Sequence, residues 1–177
     1  MSWCNKVTKA DWAYNTDLNN STAEDASNDV NVQFSKFVLQ EWVSTISQFD
    51  YESFDETDLT KRQFKFLNAI GSAALPDAEL KEYNQVLSSM TKIYSNGKVC
   101  PYRQQNCNIE KEGLSLNPDL EDIIAHSVNY DELSYVWARW RDASGKPIRQ
   151  LYQRYVELSN NAAKLNVQHQ SPVISKP

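Results

Sequence analysis

The residues of this chain best suited to catalysis are two histidines and three cysteines. A zinc hydrolase of the common helical kind holds its metal with two histidines one helical turn apart and a glutamate between them, in the pattern His-Glu-x-x-His. Neither His126 nor His169 has a second histidine at that spacing. We interpret His126 as a partly exposed residue of a predicted helix. The sequence therefore offers no catalytic and no metal-ligating residue.

Two of the cysteines lie close together, since Cys100 and Cys107 share a polar segment that contains Pro101. This spacing suits a small disulfide-closed loop better than a metal site. Two reduced cysteines in a cytosolic loop are the alternative. Cys4 has no obvious partner.

Two N-glycosylation sequons overlap in the segment Asn19-Asn20-Ser21-Thr22, because Asn19 precedes Ser21 by two residues and Asn20 precedes Thr22 by two. Chance matches to so short a pattern are common. Together with a candidate disulfide, however, they favour the secretory route.

The composition excludes several classes of function. With 18 Lys and Arg against 23 Asp and Glu, the net charge of -5 provides no basic surface for nucleic acid or for anionic lipid. Only 4 glycines in 177 residues argue against an all-β fold. No apolar run approaches the roughly 20 residues that cross a bilayer, and the first residues do not resemble a signal peptide.

Apolar residues recur at steps of three and four along most of the chain, which predicts an all-α fold. We expect Ser21 to cap the second helix with Glu24 as its reciprocal partner, and Asn117 to cap the fifth with Pro118 in its first turn. A short strand is possible at Lys98–Cys100. The predicted helices are Trp3–Tyr14, Ser21–Phe49, Leu59–Ile70, Pro76–Asn96, Pro118–Val128, Asp131–Ala143 and Pro147–Leu165.

Several segments, read in order and with their spacing, resemble the N-terminal part of the angiotensin-converting enzyme family. The resemblance covers about residues 12–166. The segments are Trp12-Ala13-Tyr14-Asn15-Thr16, Ala73-Ala74-Leu75-Pro76, Leu80-Lys81-Glu82-Tyr83-Asn84, Val99-Cys100 to Cys107, Leu116-Asn117-Pro118-Asp119-Leu120, Trp140-Arg141-Asp142, Tyr155-Val156-Glu157-Leu158 and Ala162-Ala163-Lys164-Leu165-Asn166.

This resemblance implies a nearly all-helical, two-lobed zinc peptidase whose N-terminal helices form a lid over a central channel. Such enzymes are peptidyl-dipeptidases, which remove dipeptides from the C-termini of peptides, and are secreted. Their zinc ligands would lie beyond this chain. We therefore expect residues 1–166 to be an incomplete N-terminal helical region of a peptidyl-dipeptidase domain, and residues 167–177 to be a divergent, disordered tail.

The resemblance also assigns roles to individual residues. Cys100 and Cys107 match the family's first disulfide. Arg141 matches an arginine that in some members helps to bind an activating chloride ion, with Trp137 and Trp140 as its aromatic surroundings. A guanidinium held in a dry aromatic shell would favour a small anion. The alternative for Arg141 is an ordinary surface arginine that pairs with a neighbouring acid.

Two functional hypotheses follow. In the first, the chain is a truncated peptidyl-dipeptidase that lacks the zinc site and is inactive alone, although the full-length family acts on peptides. In the second, it is a non-catalytic helical protein that binds a partner or the full-length enzyme. Exposed apolar helix faces would in either case favour self-association.

Overall fold

A computed structural model describes residues Ser2–Gln170, with side chains up to Val167. The described residues form seven α-helices and one pair of two-residue strands, which confirms the all-α prediction. The helices are α1 (Trp3–Thr16), α2 (Ser21–Ser44), α3 (Leu59–Leu67), α4 (Asp77–Asn96), α5 (Ile109–Glu112), α6 (Glu121–His126) and α7 (Tyr130–Gln170). No helix in the described range has a stretch long and apolar enough to span a membrane.

The chain divides into two compact units. One comprises the residues up to Gln85 together with those from Tyr155 onward, and the other comprises Val86–Arg154. The helices α4 and α7 each contribute to both units.

In the first unit, α1 packs along α2 through aromatic and polar contacts. The ring of Trp3 lies 5.6 Å from that of Phe37. The Oδ1 atom of Asp11 accepts hydrogen bonds from Ser27 Oγ at 2.7 Å and from Asn31 Nδ2 at 2.9 Å. These hydrogen bonds satisfy the carboxylate where the two helices meet. Partial burial of a carboxylate without such partners would cost free energy.

The first unit has two apolar clusters that meet at the partly buried Leu165. One contains the buried Trp42, Ile70, Ala73 and Ala74. The indole N–H of Trp42 donates to Asn68 Oδ1 at 2.7 Å, so the polar atom of this buried ring is satisfied. The other cluster contains Leu75, Leu80 and Ala162, with Val32 and Tyr83 packed against it.

A buried lysine holds the acidic segment that follows α2. The Nζ atom of Lys61 donates to Glu52 O at 2.9 Å, to Phe54 O at 3.1 Å and to the Glu56 carboxylate at 2.6 Å. The hydrogen bond to Glu56 raises the pKa of Lys61 and lowers the pKa of Glu56. The helix α2 ends at Ser44, short of the predicted Phe49, and a separate 3-10 helix follows at Ile46–Gln48.

The predicted end of α3 near Gly71 also needs correction. The helix ends at Leu67, and a 3-10 turn follows from Gly71 to Ala74. Gly71 has a φ of 60°, which a glycine adopts without a steric penalty. The side-chain amide of Asn166 bonds both backbone groups of Gly71, accepting from its N–H at 3.0 Å and donating to its carbonyl at 2.8 Å.

In the second unit, the core consists of Val99, Leu120 and Val136, and Leu114 packs against it. The strands β1 (Lys98–Val99) and β2 (Leu114–Ser115) are antiparallel, with Val99 opposite Leu114. The predicted short strand is therefore present, whereas its partner was not predicted.

The start of α6 differs from the prediction. Leu116–Leu120 forms a wide turn with a cis bond before Pro118, and the α-helix begins only at Glu121. Asn117 does not cap it, because the N-cap position of this helix is Leu120. The side-chain amide of Asn117 donates to the Glu121 carboxylate at 2.7 Å. Asp119 instead accepts from the backbone N–H and the hydroxyl of Ser115, each at 2.8 Å.

We expect Asp119→Asn to lower the free energy of unfolding by about 1 kcal/mol at neutral pH. The two bonds from Ser115 lower the pKa of Asp119 from its ordinary value of 3.8. A lowered pKa contributes stability that is fully present above the ordinary value and is lost as the pH falls through the folded-state value. The difference between parent and variant should therefore shrink below about pH 4, as measured by urea unfolding at several pH values. Asp25→Asn, at an exposed position of α2, is the control; an equal pH dependence in both variants would contradict this role of Asp119.

The interruption predicted at residues 144–147 is wrong, because α7 runs unbroken through Pro147. Proline removes one backbone hydrogen bond and costs about 3 kcal/mol in a helix interior. Buried residues on both sides, Val136 before it and Leu158 after it, supply packing that offsets this cost. The helix also continues to Gln170, into the segment predicted as a loose tail from Val167. Residues 171–177 lie outside the described range.

Candidate functional site

Arg141 and Trp137 lie one turn apart on α7 and contact each other. The guanidinium carbon of Arg141 is 3.7 Å from the ring centre of Trp137, and its Nη1 atom donates to Trp137 O at 3.1 Å. Both side chains are exposed, with 56% of Trp137 accessible to solvent. The structure thus brings these two predicted site residues together through a cation–π contact at the surface.

Trp140, the third predicted member, faces elsewhere. Its ring meets Tyr94 edge-on at 5.4 Å and packs against the core of the second unit. It also covers Gly97, where an added Cβ would lie 2.9 Å from the indole. Trp140 therefore has a packing role, and Arg141 has no dry aromatic shell among the residues described.

The alternative for Arg141, an ion pair with a neighbouring acid, is not observed in the described part of the chain either. Asp142, the nearest candidate in sequence, is bound by Lys146 at 2.7 Å and by Arg139 at 3.1 Å. The hydrogen bond from Lys146 is the main cause of the lowered pKa of Asp142. Chloride binding by Arg141 stays a prediction.

Sequence reasoning missed an exposed groove along α7. Its volume is about 480 Å³, and Arg141, Gly145, Ile148, Arg149 and Tyr152 are among the residues that line it. The steps between Trp137, Arg141, Gly145, Ile148 and Tyr152 are four, four, three and four, which puts them on one helix face. This spacing was a usable signal, but the break predicted before Pro147 hid it. We call Trp137, Arg141, Gly145, Ile148 and Tyr152 the α7 face.

The predicted disulfide is present, with a bond of 2.05 Å between the Sγ atoms of Cys100 and Cys107. The loop that it closes follows β1 and leads into α5, where it is hydrogen-bonded to the carboxylate of Glu112. One carboxylate oxygen of Glu112 accepts from Gln104 Nε2 at 3.0 Å, and the other accepts from the backbone N–H of Asn108 at 2.8 Å. Cys4 is a free, exposed thiol.

Among the described side chains, His126 is the only histidine, and it belongs to no metal site. His126 is exposed at the end of α6, and its Nδ1 atom lies 3.0 Å from an Asp122 carboxylate oxygen. The side chain of His169 lies outside the described side chains. Among residues 2–167, no three His, Cys, Asp or Glu side chains come together in a way that could hold a metal ion.

Both sequon asparagines, Asn19 and Asn20, are exposed in the connection between α1 and α2. The N-cap of α2 is Asn20 and not the predicted Ser21, because Asn20 Oδ1 accepts from the backbone N–H of Ala23 at 3.1 Å. The backbone N–H of Asn19 donates to Asp17 Oδ1 at 3.3 Å. The cap prediction was thus displaced by one residue.

Known proteins resemble this chain over nearly its whole length. The chain is 35% identical to the angiotensin-converting enzyme of Haematobia irritans exigua over 162 residues, which cover 92% of this chain and 25% of the relative. It is also 35% identical to the enzyme of Bos taurus, covering 92% of this chain and 12% of the relative. The enzyme of Theromyzon tessulatum is 37% identical over 165 residues, covering 90% of this chain and 25% of the relative.

The chain thus spans a quarter or less of the length of these relatives. The family model of peptidase M2, described as angiotensin-converting enzyme, matches residues 1–172 and so continues beyond Asn166, where the sequence predicted an unrelated tail to begin. These matches confirm the resemblance seen in the sequence segments. The chain belongs to the angiotensin-converting enzyme family of M2 peptidases.

Proposed function

We propose that this chain is the N-terminal helical region of a zinc peptidyl-dipeptidase, in which it forms lid and framework helices without supplying a catalytic group. The whole peptidase would remove dipeptides from the C-termini of peptides. The observation that carries this proposal is the family match over residues 1–172 of a sequence that contains no His-Glu-x-x-His.

The described residues do not fit a zinc site. Imidazole ligands must converge within about 2 Å of the metal, whereas His126 is exposed beside Asp122 and no group of three possible ligands forms among residues 2–167. We therefore assign no step of peptide hydrolysis to this chain. Zinc, and any chloride bound beside Arg141, would belong to the complete enzyme.

The contact between α1 and α2 supports the lid role. Asp11 ties α1 to Ser27 and Asn31 of α2, and Trp3 adds an aromatic contact at the start of α1. Two helices joined in this way can act as one rigid unit. A lid over a peptide channel needs such a unit.

An extracellular or secretory location also belongs to this proposal. The Cys100–Cys107 disulfide supports it, because such bonds persist in oxidising compartments. The exposed sequons at Asn19 and Asn20 support it as well.

We expect the purified chain to release no dipeptide from a short peptide and to bind no stoichiometric zinc, because it lacks the imidazole pair that grips the metal. Mass spectrometry of the peptide and metal analysis of the protein measure the two quantities. The enzyme of Bos taurus, assayed in parallel, is the positive control, and circular dichroism verifies that the chain is helical. Cleavage that a chelator abolishes would overturn the proposal.

The α7 face favours a second candidate function, a non-catalytic interaction protein. Trp137 and Tyr152 are each more than half exposed on this face, with Arg141 and Arg149 beside them. Exposed aromatic residues next to arginines are common at protein–protein contacts. Light scattering and a pull-down with the full-length enzyme distinguish the candidates, since a defined dimer or complex would support the second one.

A further inference from the structure

The sequence contains one pair of adjacent basic residues, Lys61-Arg62, which is followed by Gln63. Processing endoproteases of the secretory pathway cut after such pairs, because carboxylates in their specificity pockets bind both basic side chains. In an extended chain, the bond between Arg62 and Gln63 would therefore be a cleavage site.

The fold withholds the first residue of the pair from such a protease. A protease binds its substrate as an extended segment, whereas both basic residues lie in the helix α3. Lys61 is 4% exposed. Its Nζ atom donates to two backbone carbonyls and to the Glu56 carboxylate, so all three N–H donors of the ammonium group are in use.

The second residue of the pair is accessible. Arg62 is exposed, and its guanidinium carbon lies 5.8 Å from the ring centre of Phe66 on the same helix. Aromatic contacts between the ring of Phe64 and the rings of Tyr51 and Phe54 also hold the acidic segment, residues 50–58, against α3. The burial of Lys61 under this segment is thus what closes the site.

We propose that Lys61-Arg62 is a latent cleavage site for a pair-specific serine endoprotease of the secretory pathway, kept closed by the contacts of Lys61 with the acidic segment. The proposal rests on the secretory location proposed above. Cleavage adds one water molecule. The bond between the Arg62 carbonyl carbon and the Gln63 nitrogen breaks, the carbon gains the hydroxyl group, and the nitrogen gains the proton. The bond becomes available only when α3 opens locally.

Cleavage at this position would change how the proposed lid helices are attached. Both α1 and α2 lie on the N-terminal side of Arg62. After the cut, they would be held to the rest of the first unit by packing and side-chain contacts alone. These contacts include the hydrogen bond from Trp42 to Asn68 at 2.7 Å and the ion pair of Lys36 with Asp77 at 2.5 Å. The closed site therefore protects the covalent connection of the lid.

A comparison of the folded chain with a short peptide tests whether the site is present and closed. The full chain, secreted from insect cells, and a synthetic peptide of residues 55–68 are each incubated with a purified kexin-type protease. Mass spectrometry quantifies the product that begins at Gln63. We expect rapid cleavage of the peptide and cleavage of the folded chain at least about 100-fold more slowly, because proteolysis of a native protein follows the population of its open form.

Two variants that keep the basic pair test the role of the acidic segment. Glu56→Gln removes the ion pair with Lys61, and we expect cleavage about three- to fivefold faster than in the parent. Asp50→Asn is the matched control, because it removes one negative charge from the same segment, where the Asp50 carboxylate does not contact Lys61. We expect the parent rate for this control. Circular dichroism verifies that both variants stay helical.

Lys61→Met separates recognition from access. This variant lacks the basic pair, so the kexin-type protease should not cut it after Arg62. Trypsin requires only Arg62, and it should cut Lys61→Met there faster than it cuts the parent, because the contacts of the ammonium group are lost.

Three results would overturn the proposal. An uncut peptide would show that the pair is not a cleavage site, and a parent cut as rapidly as the peptide would show that the site is not closed. Equal rates for Glu56→Gln and Asp50→Asn would show that the Lys61 contacts do not close it. None of these results bears on dipeptide release or zinc binding, so a failure here is distinct from a failure of the proposed peptidase role.

Discussion

Leu80→Ala should lower the free energy of unfolding by about 3–4 kcal/mol, the largest loss that we expect from a single substitution in this chain. Leu80 is 1% exposed in α4 and belongs to the cluster with Leu75 and Ala162, against which Val32 of α2 packs. Removing its side chain loses buried apolar surface and leaves a cavity bordered by three helices, which cannot all move to close it.

The matched control is Leu59→Ala, because Leu59 is 74% exposed at the start of α3. We expect a change within about 0.5 kcal/mol there. Urea unfolding followed by far-ultraviolet circular dichroism measures both variants. Equal losses in the two variants would mean that the cluster around Leu80 does not stabilise the fold as its burial implies.

The helices were predictable from the sequence where the apolar spacing agrees with the residues that start and end helices. The helix α4 is an example, since its predicted span of Pro76–Asn96 differs from the observed Asp77–Asn96 by one residue. Local chemistry was less decisive at the start of α2. Asn20 and Ser21 are about equally good caps, so the sequence alone could not choose between them.

Other features depend on contacts between residues that the sequence pattern does not connect. Lys61 is 4% exposed, although lysine is almost never buried without a partner, and its partners include two backbone carbonyls that no side-chain pattern reveals. Pro147 lies inside α7 because tertiary packing on both sides outweighs its local cost.

Among the predicted chloride-site residues, one contact follows from helix geometry and another depends on tertiary packing. Trp137 and Arg141 are four residues apart, so helical geometry alone brings them into contact. Trp140 precedes Arg141 by one residue and is rotated from it by about 100° around the helix. It therefore points to Tyr94 and the core, and the family resemblance in sequence could not reveal this.

Cys100→Ser should lower the free energy of unfolding by about 2.5 kcal/mol, the second large effect that we expect. The disulfide closes a loop of eight residues, counting Cys100 and Cys107, and so reduces the conformational entropy of the unfolded chain. The loop precedes α5, and β2 beyond it pairs with Val99 of the buried core, so the cross-link restrains a part of the second unit that has little regular structure of its own.

Cys107→Ser should give the same loss, because either substitution opens the same loop. Cys4→Ser is the control, since Cys4 is exposed and belongs to no disulfide. Unfolding of the parent with and without a reducing agent gives an independent measure. The reductant should lower the free energy of unfolding of the parent to about that of the two variants. It should lower the free energy of unfolding of Cys4→Ser by the same amount as that of the parent. If reduction left the parent unchanged, the bonds from Gln104 and Asn108 to Glu112 would be sufficient to hold the loop, and the entropic account of the disulfide would be wrong.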